Sequence, residues 1–178
     1  MRKITLITGG CRSGKSAYAL SQAMRHAAPR AFLATCPRMD DEMAARIERH
    51  QKEREADQWH TVEEETNLSK ALTALESYPV IVLDCLTLWI NNLLYHQGTL
   101  ALPEERMAEL TEEFVTKCET QSGHLIVVTN ETGLGITPTN DLARHFRDLV
   151  GRCNQIFASR ADQVVLMVSG IPVTIKAP

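Results

Sequence analysis

The chain lacks the features that mark several large classes of protein. Its 178 residues carry 19 Lys and Arg against 22 Asp and Glu, a formal charge of −3, and only 5% of them are aromatic. This composition argues against a basic nucleic-acid surface and against a platform for stacking single-stranded bases. The first apolar run stops at Gly9, too early for a membrane span or a signal peptide. We therefore expect a soluble, cytoplasmic protein with no nucleic-acid partner and no membrane insertion.

The five cysteines have no pattern of a disulfide framework or a zinc site. They are odd in number, dispersed, and never spaced as Cys-x-x-Cys, which fits reduced thiols in the cytosol. The chain also has no internal repeat, linker or low-complexity tract. Its length suits one domain with a full core, so residues 1–178 are expected to fold as a single domain.

The most informative segment lies near the start of the chain. A β-branched run from Ile4 to Thr8 precedes an octet that fits the phosphate-binding loop pattern, Gly9-Gly10-Cys11-Arg12-Ser13-Gly14-Lys15-Ser16. Glycine permits conformations and close approaches that a Cβ would block. Successive N–H groups can then form an anion nest at a helix N-terminus. In this pattern Lys15 reaches the β- and γ-phosphates and Ser16 offers a hydroxyl to Mg²⁺. We predict that the chain binds a nucleoside triphosphate.

Strands and helices alternate along the chain, which is typical of a mainly parallel sheet with helices on both faces. The apolar patterns predict strands at 4–8, 31–36, 59–62, 80–83 and 125–129, and helices at 16–27, 40–56, 68–77, 86–95, from 103 onward and 140–161. The last helix is expected to bury Leu142, Phe146, Leu149, Cys153 and Ile156. Residues 164–169 and 173–176 are expected to close the sheet as a C-terminal antiparallel hairpin. The predicted class is an α/β P-loop fold.

Ligands of open α/β sheets bind beyond the carboxyl ends of the strands. The strand at 80–83 delivers Asp84, placed like the second metal-associated acid of P-loop enzymes. An Asp before a helix that begins near Leu86 is also a good N-cap; the two roles can coexist, and the metal role is favoured. The strand at 125–129 is followed by a glycine-bearing segment, 130–138, that is either a functional loop or a structural one.

The charged segment 40–56 places Arg46, His50 and Arg54 in one helical row at i, i+4 and i+8. Guanidinium groups bind phosphate oxygens, and an imidazole can attack phosphorus. The spacing itself favours a different interpretation, a solvated charged face in which neighbouring glutamates supply the counter-charges.

Further blocks extend along the whole chain: Asp40 to Ile47 leading into Arg49-His50, Trp59 to Glu63, Asp84 to Thr87 before Asn91 to Leu94, Val128 to Glu131 with Gly133 to Pro138, Leu142 to Asp148, Gly151 to Gln155, and Val168 to Pro172. With these blocks the sequence resembles the bifunctional adenosylcobinamide kinase/adenosylcobinamide-phosphate guanylyltransferase family of cobalamin biosynthesis. Two positions depart from the family pattern. Cys11 stands where a small residue such as Ala is usual, and Leu20 stands where a Glu is expected.

The resemblance implies a RecA-like P-loop core, a homotrimer, and two reactions. In the first, GTP or ATP phosphorylates the aminopropanol hydroxyl of adenosylcobinamide. In the second, GTP guanylylates a histidine with loss of pyrophosphate, and the GMP passes to adenosylcobinamide phosphate. The matching histidine is His50, which reverses the interpretation of the charged segment.

The same resemblance implies the residues of the site. Lys15 joins His50 as a catalytic residue, and Ser16 and Asp84 would hold Mg²⁺. Matched residue by residue, nucleotide contacts are implied for Gly9, Gly10, Cys11, Arg12, Ser13, Gly14, Lys15, Ser16, Ala34, Thr35, Cys36, Gln51, Lys52, Glu53, Arg54, Glu63 and Asp84.

Two other functions remain open on the sequence. One is a P-loop small-molecule kinase without nucleotidyl transfer, in which His50 is a surface residue. The other is a RecA-like module that uses nucleotide hydrolysis to move a partner. A regulatory GTPase is disfavoured because Asn130-Glu131-Thr132 lacks the guanine-reading Asn-Lys-x-Asp pattern.

Overall fold

The computed structural model describes residues 2–37, 58–97 and 102–178. Its strands are β1 (Lys3–Gly9), β2 (Arg30–Ala34), β3 (Trp59–Glu63), β4 (Val80–Asp84), β5 (His124–Val128), β6 (Gln163–Val168) and β7 (Ile171–Lys176). Its helices are α1 (Lys15–Ala23), α2 (Leu68–Ala74), α3 (Leu86–Gln97), α4 (Glu104–Thr120) and α5 (Asp141–Arg160).

The strands form one seven-stranded sheet in the order β3-β2-β4-β5-β1-β6-β7. Every pairing is parallel except that of β6 with β7. The apolar runs of the central strands β4 and β5 are buried, as expected for parallel strands covered on both faces. This order sets β5 between β1, which leads into the phosphate loop, and β4, which ends at Asp84.

Two apolar clusters cover the two faces of the sheet. One cluster packs Leu6, Leu83 and Leu125 against the buried side chains of α2 to α5, such as Leu72, Trp89, Phe114 and Phe157. The second packs Ile7, Val82 and Ile126 against Ala19 and Ala23 of α1. Because both faces are packed, the strands are held in place, and so are the polar residues at their ends, such as Asp84 at the end of β4.

The predicted alternation and the C-terminal antiparallel hairpin are confirmed, with differences at several element ends and in the burial of two side chains. β2 ends at Ala34 and not at residue 36, and α2 ends at Ala74 and not at residue 77. Helix α1 ends at Ala23 and not near residue 27. The Arg30 guanidinium donates to the carbonyls of Ala23 and His26 (3.3 and 3.1 Å from Nε) and satisfies groups left open beyond the helix end. Leu142, expected in the core, is 37% exposed in the first turn of α5. Phe146, also expected in the core, is half-buried.

The helix predicted at 40–56 lies outside the described residues. No helix among those described is long and apolar enough to cross a membrane.

Candidate nucleotide-binding site

The phosphate loop depends on glycine at two of its positions. Gly9 has φ +148°, and a Cβ there would lie 2.5 Å from the carbonyl oxygen of Met167 in β6. Gly14 has φ +95°, and its Cβ would lie 3.3 Å from Cα of Gly170. Side chains at these positions would meet both backbone strain and neighbouring backbone. The loop is therefore held against the end of β6, and the close approaches expected from the sequence are present.

The turn of the C-terminal hairpin supports the loop from one side. The Gly170 amide donates to the carbonyl of Ser13 at 2.9 Å. Ser169 and Gly170 both have positive φ, 50° and 84°, as a two-residue hairpin turn of type I′ requires. The hairpin is thus a structural neighbour of the phosphate loop as well as the edge of the sheet.

Lys15 is buried although it carries a charge. Its side chain is 8% exposed, and Nζ donates to the Gly10 carbonyl at 2.6 Å and to Ser13 Oγ at 3.4 Å. Burial lowers the Lys15 pKa, because desolvation disfavours the charged form, while the negative charge of Asp84 opposes that shift. A buried ammonium flanked by loop carbonyls is suited to binding anionic phosphate oxygens.

Lys15 and Asp84 line the same cavity, which has a volume of about 410 Å³. Its lining consists of Cys11, Arg12, Ser13, Gly14, Lys15, Ser16, Ala17, Asp84, Cys85, Val128 and Asn130. A second cavity of about 510 Å³ lies between α4 and α5, but four glutamates surround its single arginine, Arg152. Phosphates would be repelled there, so the cavity at the loop is the candidate site.

Asp84 ends β4 and is fixed by the neighbouring strand. Its carbonyl accepts from the amide of Thr35 at 3.1 Å. The Thr35 hydroxyl both accepts from the Cys85 amide and donates to the Cys85 carbonyl, each at 2.7 Å. Cys85, not Asp84, directly precedes α3, and its carbonyl accepts from Trp89 in the first helical turn. Asp84 is therefore one residue away from the N-cap position that the sequence left open for it.

The strand-end residues of β2 and β3 lie further along the same edge. Ala34 pairs with Asp84 on one side and with Glu63 on the other. Thr35 is fully buried, Cys36 is half-buried and Glu63 is exposed. None of these four residues lines the cavity at the loop. The predicted nucleotide contacts therefore form two groups on one edge of the sheet. The phosphate loop lines the cavity, and the residues that end β2 and β3 lie on the other side of Asp84. His50 and the predicted contacts Gln51, Lys52, Glu53 and Arg54 lie outside the described residues.

A polar network beside the cavity was not identified from the sequence. Thr129 Oγ1 donates to Asn154 Oδ1 at 2.8 Å, and Thr87 Oγ1 lies 3.3 Å from Thr129 Oγ1. Asn130 joins this network through its backbone and also lines the cavity. The only signal in the sequence was the unusually long segment that begins at Asn130, together with small polar residues placed directly after apolar runs.

Comparison with known proteins identifies the family. A family model described as cobinamide kinase / cobinamide phosphate guanyltransferase matches residues 5–175. This chain belongs to that family. Similar proteins include the "bifunctional adenosylcobalamin biosynthesis protein CobU" of Salmonella typhimurium, which is 42% identical with 96% of this chain and 98% of the relative covered. The protein of the same name from Escherichia coli is 39% identical, with 96% of this chain and 98% of the relative covered. "Bifunctional adenosylcobalamin biosynthesis protein CobP" of Pseudomonas aeruginosa is 38% identical over 96% of each chain. The chain is therefore an enzyme of cobalamin biosynthesis.

The fold is also found outside the family. The crystal structure of the RadB recombinase matches 92% of this chain and 73% of its own, with a TM-score of 0.53 and 12% identity. At that identity the likeness concerns the fold alone. It confirms the predicted fold class, a RecA-like, mainly parallel sheet flanked by helices.

Proposed function

We propose that the chain phosphorylates the aminopropanol hydroxyl of adenosylcobinamide, and then transfers GMP from GTP to adenosylcobinamide phosphate to give adenosylcobinamide-GDP. The observation that carries this proposal is the cavity lined jointly by the phosphate loop, Lys15 and Asp84, in a chain of the cobinamide kinase / cobinamide phosphate guanyltransferase family. Either GTP or ATP would serve the first step, and GTP the second.

In the kinase step the hydroxyl oxygen attacks the γ-phosphorus. The bond from that phosphorus to the oxygen shared with the β-phosphate breaks, the nucleoside diphosphate leaves with the electron pair, and the hydroxyl proton is released. Such transfers need chiefly positioning and charge stabilisation. The backbone N–H groups of the loop and the buried Lys15 ammonium would supply the positive charge at the phosphates.

The residues at the cavity fit Mg²⁺. Ser16 is exposed at the start of α1, Asp84 ends β4, and both line the cavity. A hydroxyl and one carboxylate are hard oxygen donors, and Mg²⁺ in nucleotide sites usually takes few protein ligands, completing its shell with water and phosphate oxygens. When bound, Mg²⁺ would neutralise charge on the phosphates. Ser16 and Asp84 are the residues that would hold it.

The second reaction is assigned to His50. Its imidazole would attack the α-phosphorus of GTP, and pyrophosphate would leave. A phosphate oxygen of adenosylcobinamide phosphate would then attack the same phosphorus, breaking the bond to nitrogen and freeing His50. A neutral imidazole avoids the repulsion between two anions that direct transfer would meet. Arg46 and Arg54, four residues to either side in the sequence, would bind the phosphates around the reacting centre.

A homotrimer forms part of the proposal. β7 is the last strand in the sheet order, and its apolar side chains Ile171, Val173 and Ile175 are 66%, 46% and 62% exposed. An apolar edge strand open to water is an association hazard for a monomer, which supports its burial between subunits. Light scattering on the purified chain should give the mass of three chains. A monomeric mass across a wide concentration range would contradict the trimer.

The adduct on His50 tests the proposal. GTP labelled at the α-phosphate, incubated with the protein and Mg²⁺ without acceptor, should leave an acid-labile label, and peptide mass analysis should place GMP on His50. His50→Ala should lose the adduct. A matched control is His96→Ala, which removes an exposed histidine of α3 and should keep the adduct. Phosphorylation of adenosylcobinamide with no adduct would indicate a small-molecule kinase. Nucleotide hydrolysis with neither product would indicate a motor-like module.

A further inference from the structure

Asn130 lines the cavity at the end of β5. It follows β5, the strand between the loop-bearing β1 and the Asp84-bearing β4. Val128 pairs with Asp84 in the sheet, and the Glu131 amide donates to the Gly9 carbonyl at 3.0 Å. The segment from Val128 to Glu131 therefore joins the two sides of the site, and Asn130 lines the cavity together with Lys15 and Asp84.

The backbone of Asn130 is held on both sides by side chains from other elements. Its amide donates to Thr87 Oγ1 of α3 at 2.8 Å, and its carbonyl accepts from Asn154 Nδ2 of α5 at 3.0 Å. Asn154 is oriented in turn by the Thr129 hydroxyl, which donates to Asn154 Oδ1 at 2.8 Å. Thr129 is fully buried and Thr87 nearly so. Three side chains thus fix one loop residue whose own side chain takes no part in the network.

The carboxamide of Asn130 is left available for a ligand. Among the residues that the structure describes, none forms a hydrogen bond with the Asn130 side chain, although both of its backbone groups are bonded. A purely structural Asn normally uses its amide to bond the backbone around it. A rigid backbone combined with an uncommitted polar side chain at a cavity wall is the arrangement expected of a binding residue.

We propose that the Asn130 carboxamide donates a hydrogen bond to the terminal phosphate of the bound nucleoside triphosphate, and that Asn154 is its positioning residue. The assignment rests on the proposed nucleotide site. Lys15 marks the β- and γ-phosphate end of a phosphate loop. Asn130 follows the strand that lies between β1 and β4, and it lines the same cavity as Lys15 and Asp84. The contact would be made to the triphosphate but not to the diphosphate.

Nucleotide binding with and without the terminal phosphate tests the contact. The affinities of a non-hydrolysable GTP analogue and of GDP should be measured by calorimetry for the wild type and for Asn130→Ala, which keeps both backbone hydrogen bonds. Loss of a hydrogen bond to a charged group should weaken analogue binding by about ten- to a hundredfold while GDP binding stays unchanged. Asn130→Asp should be worse than Ala, because it adds a negative charge beside the phosphate; a structural Asn would tolerate the isosteric Asp better than Ala.

One further variant serves as a control, and another tests the role of Asn154. Asn91→Ala removes an exposed asparagine of α3 and should change neither affinity. Asn154→Ala should weaken analogue binding in the wild type but have little further effect in Asn130→Ala, since it acts through Asn130. Equal losses for GTP analogue and GDP, or none for either, would overturn the inference. A wild type that binds no nucleotide at all would instead contradict the proposed function.

Discussion

Burying a cation in the phosphate loop costs free energy until an anion binds next to it. Lys15 is in this position, with its ammonium 2.6 Å from the Gly10 carbonyl and its pKa lowered by burial. Phosphate binding would replace solvent around the ammonium with fixed negative charge. Residue by residue, the site is therefore built to favour the bound state. Ser13 bonds the Lys15 ammonium, Thr35 bonds the Asp84 carbonyl, and Thr87 and Asn154 bond the backbone of Asn130.

The five cysteines differ sharply in their surroundings, which leads to a labelling prediction. Burial raises the pKa of the Cys85, Cys118 and Cys153 thiols to about 12, so these thiols should be inert to alkylation near neutral pH. Cys11 is exposed in the phosphate loop. Iodoacetamide should therefore modify Cys11 first and inactivate the enzyme, and GTP should protect it. Peptide mass analysis during inactivation measures the order of labelling.

Cys36 provides a comparison for this labelling, since it is half-buried and lies outside the cavity at the loop. Its modification should be slower than that of Cys11, so that most of the activity is lost before Cys36 is labelled. Cys11→Ser should resist inactivation while keeping most of its activity, because the loop binds through backbone N–H groups. Inactivation of that variant at the wild-type rate would show that another thiol is responsible.

At the scale of elements, the phosphate loop is supported by the strands on both sides of β1. β6 approaches Gly9 through the Met167 carbonyl, the hairpin turn bonds Ser13 through Gly170, and the segment after β5 bonds the Gly9 carbonyl. The loop conformation is therefore a property of three neighbouring elements, and the C-terminal hairpin has a role in the site although it contributes no residue to the cavity lining.

Alanine substitutions at the adjacent glycines Gly9 and Gly10 test whether these contacts stabilise the loop. Gly9→Ala should destabilise the protein by more than about 1 kcal/mol, since its Cβ would meet Met167 at a φ that Ala disfavours. At roughly 2–4 °C per kcal/mol the change should be measurable by thermal unfolding, and nucleotide affinity should fall with it. For Gly10→Ala the Cβ would meet nothing within 4 Å, so stability should stay close to the wild type. Equal melting temperatures for the two variants would contradict the account.

A buried histidine at the opposite end of the sheet, His124, should make the stability of the protein depend on pH. His124 at the start of β5 lies 2.9 Å from both His26 Nε2 and Thr5 Oγ1. Burial first, and then the charges of His26 and Lys3, lower the His124 pKa from 6.5 to about 4, with Asp162 opposing. Between these values the unfolded chain binds more protons than the folded one. The free energy of unfolding should therefore rise with pH across that window, by at most about 1.4 kcal/mol per pH unit.

Urea unfolding from about pH 4.5 to about pH 7 measures this slope. His124→Gln should reduce it, since the titrating imidazole is gone. His60→Gln, which changes an exposed histidine of β3, should leave it unchanged. A stability that is constant across the window in the wild type would show that His124 is protonated equally in both states.

For the whole molecule, the order of elements and the nucleotide site near the chain start could be predicted because both are local in sequence. Apolar runs such as 80–83 and 125–128 are buried strands, and the glycine spacing of the loop reflects close approaches that the structure contains. The hairpin followed from two short β-branched runs around Gly170. These features need only the properties of neighbouring residues.

The polar framework of the site could not be predicted in this way, because it joins residues far apart in sequence. Thr35 bonds Cys85 across 50 positions, Thr87 bonds Asn130 across 43, and Asn154 bonds Asn130 across 24. Threonine and asparagine are common, so nothing in their spacing distinguishes a partner from a solvated side chain. Leu142 fits the apolar stripe of α5, but the buried residues of that helix begin only at Leu149, which the periodicity alone does not indicate.

The central claim is that one phosphate loop serves both reactions, and Lys15→Ala tests it most directly. Phosphorylation of adenosylcobinamide and guanylylation of the protein should be measured separately for this variant and for the wild type, at matched nucleotide and magnesium concentrations. Both rates should fall by at least about a hundredfold, because both reactions place charge on phosphates beside Lys15. Guanylylation at the wild-type rate with phosphorylation lost would contradict it.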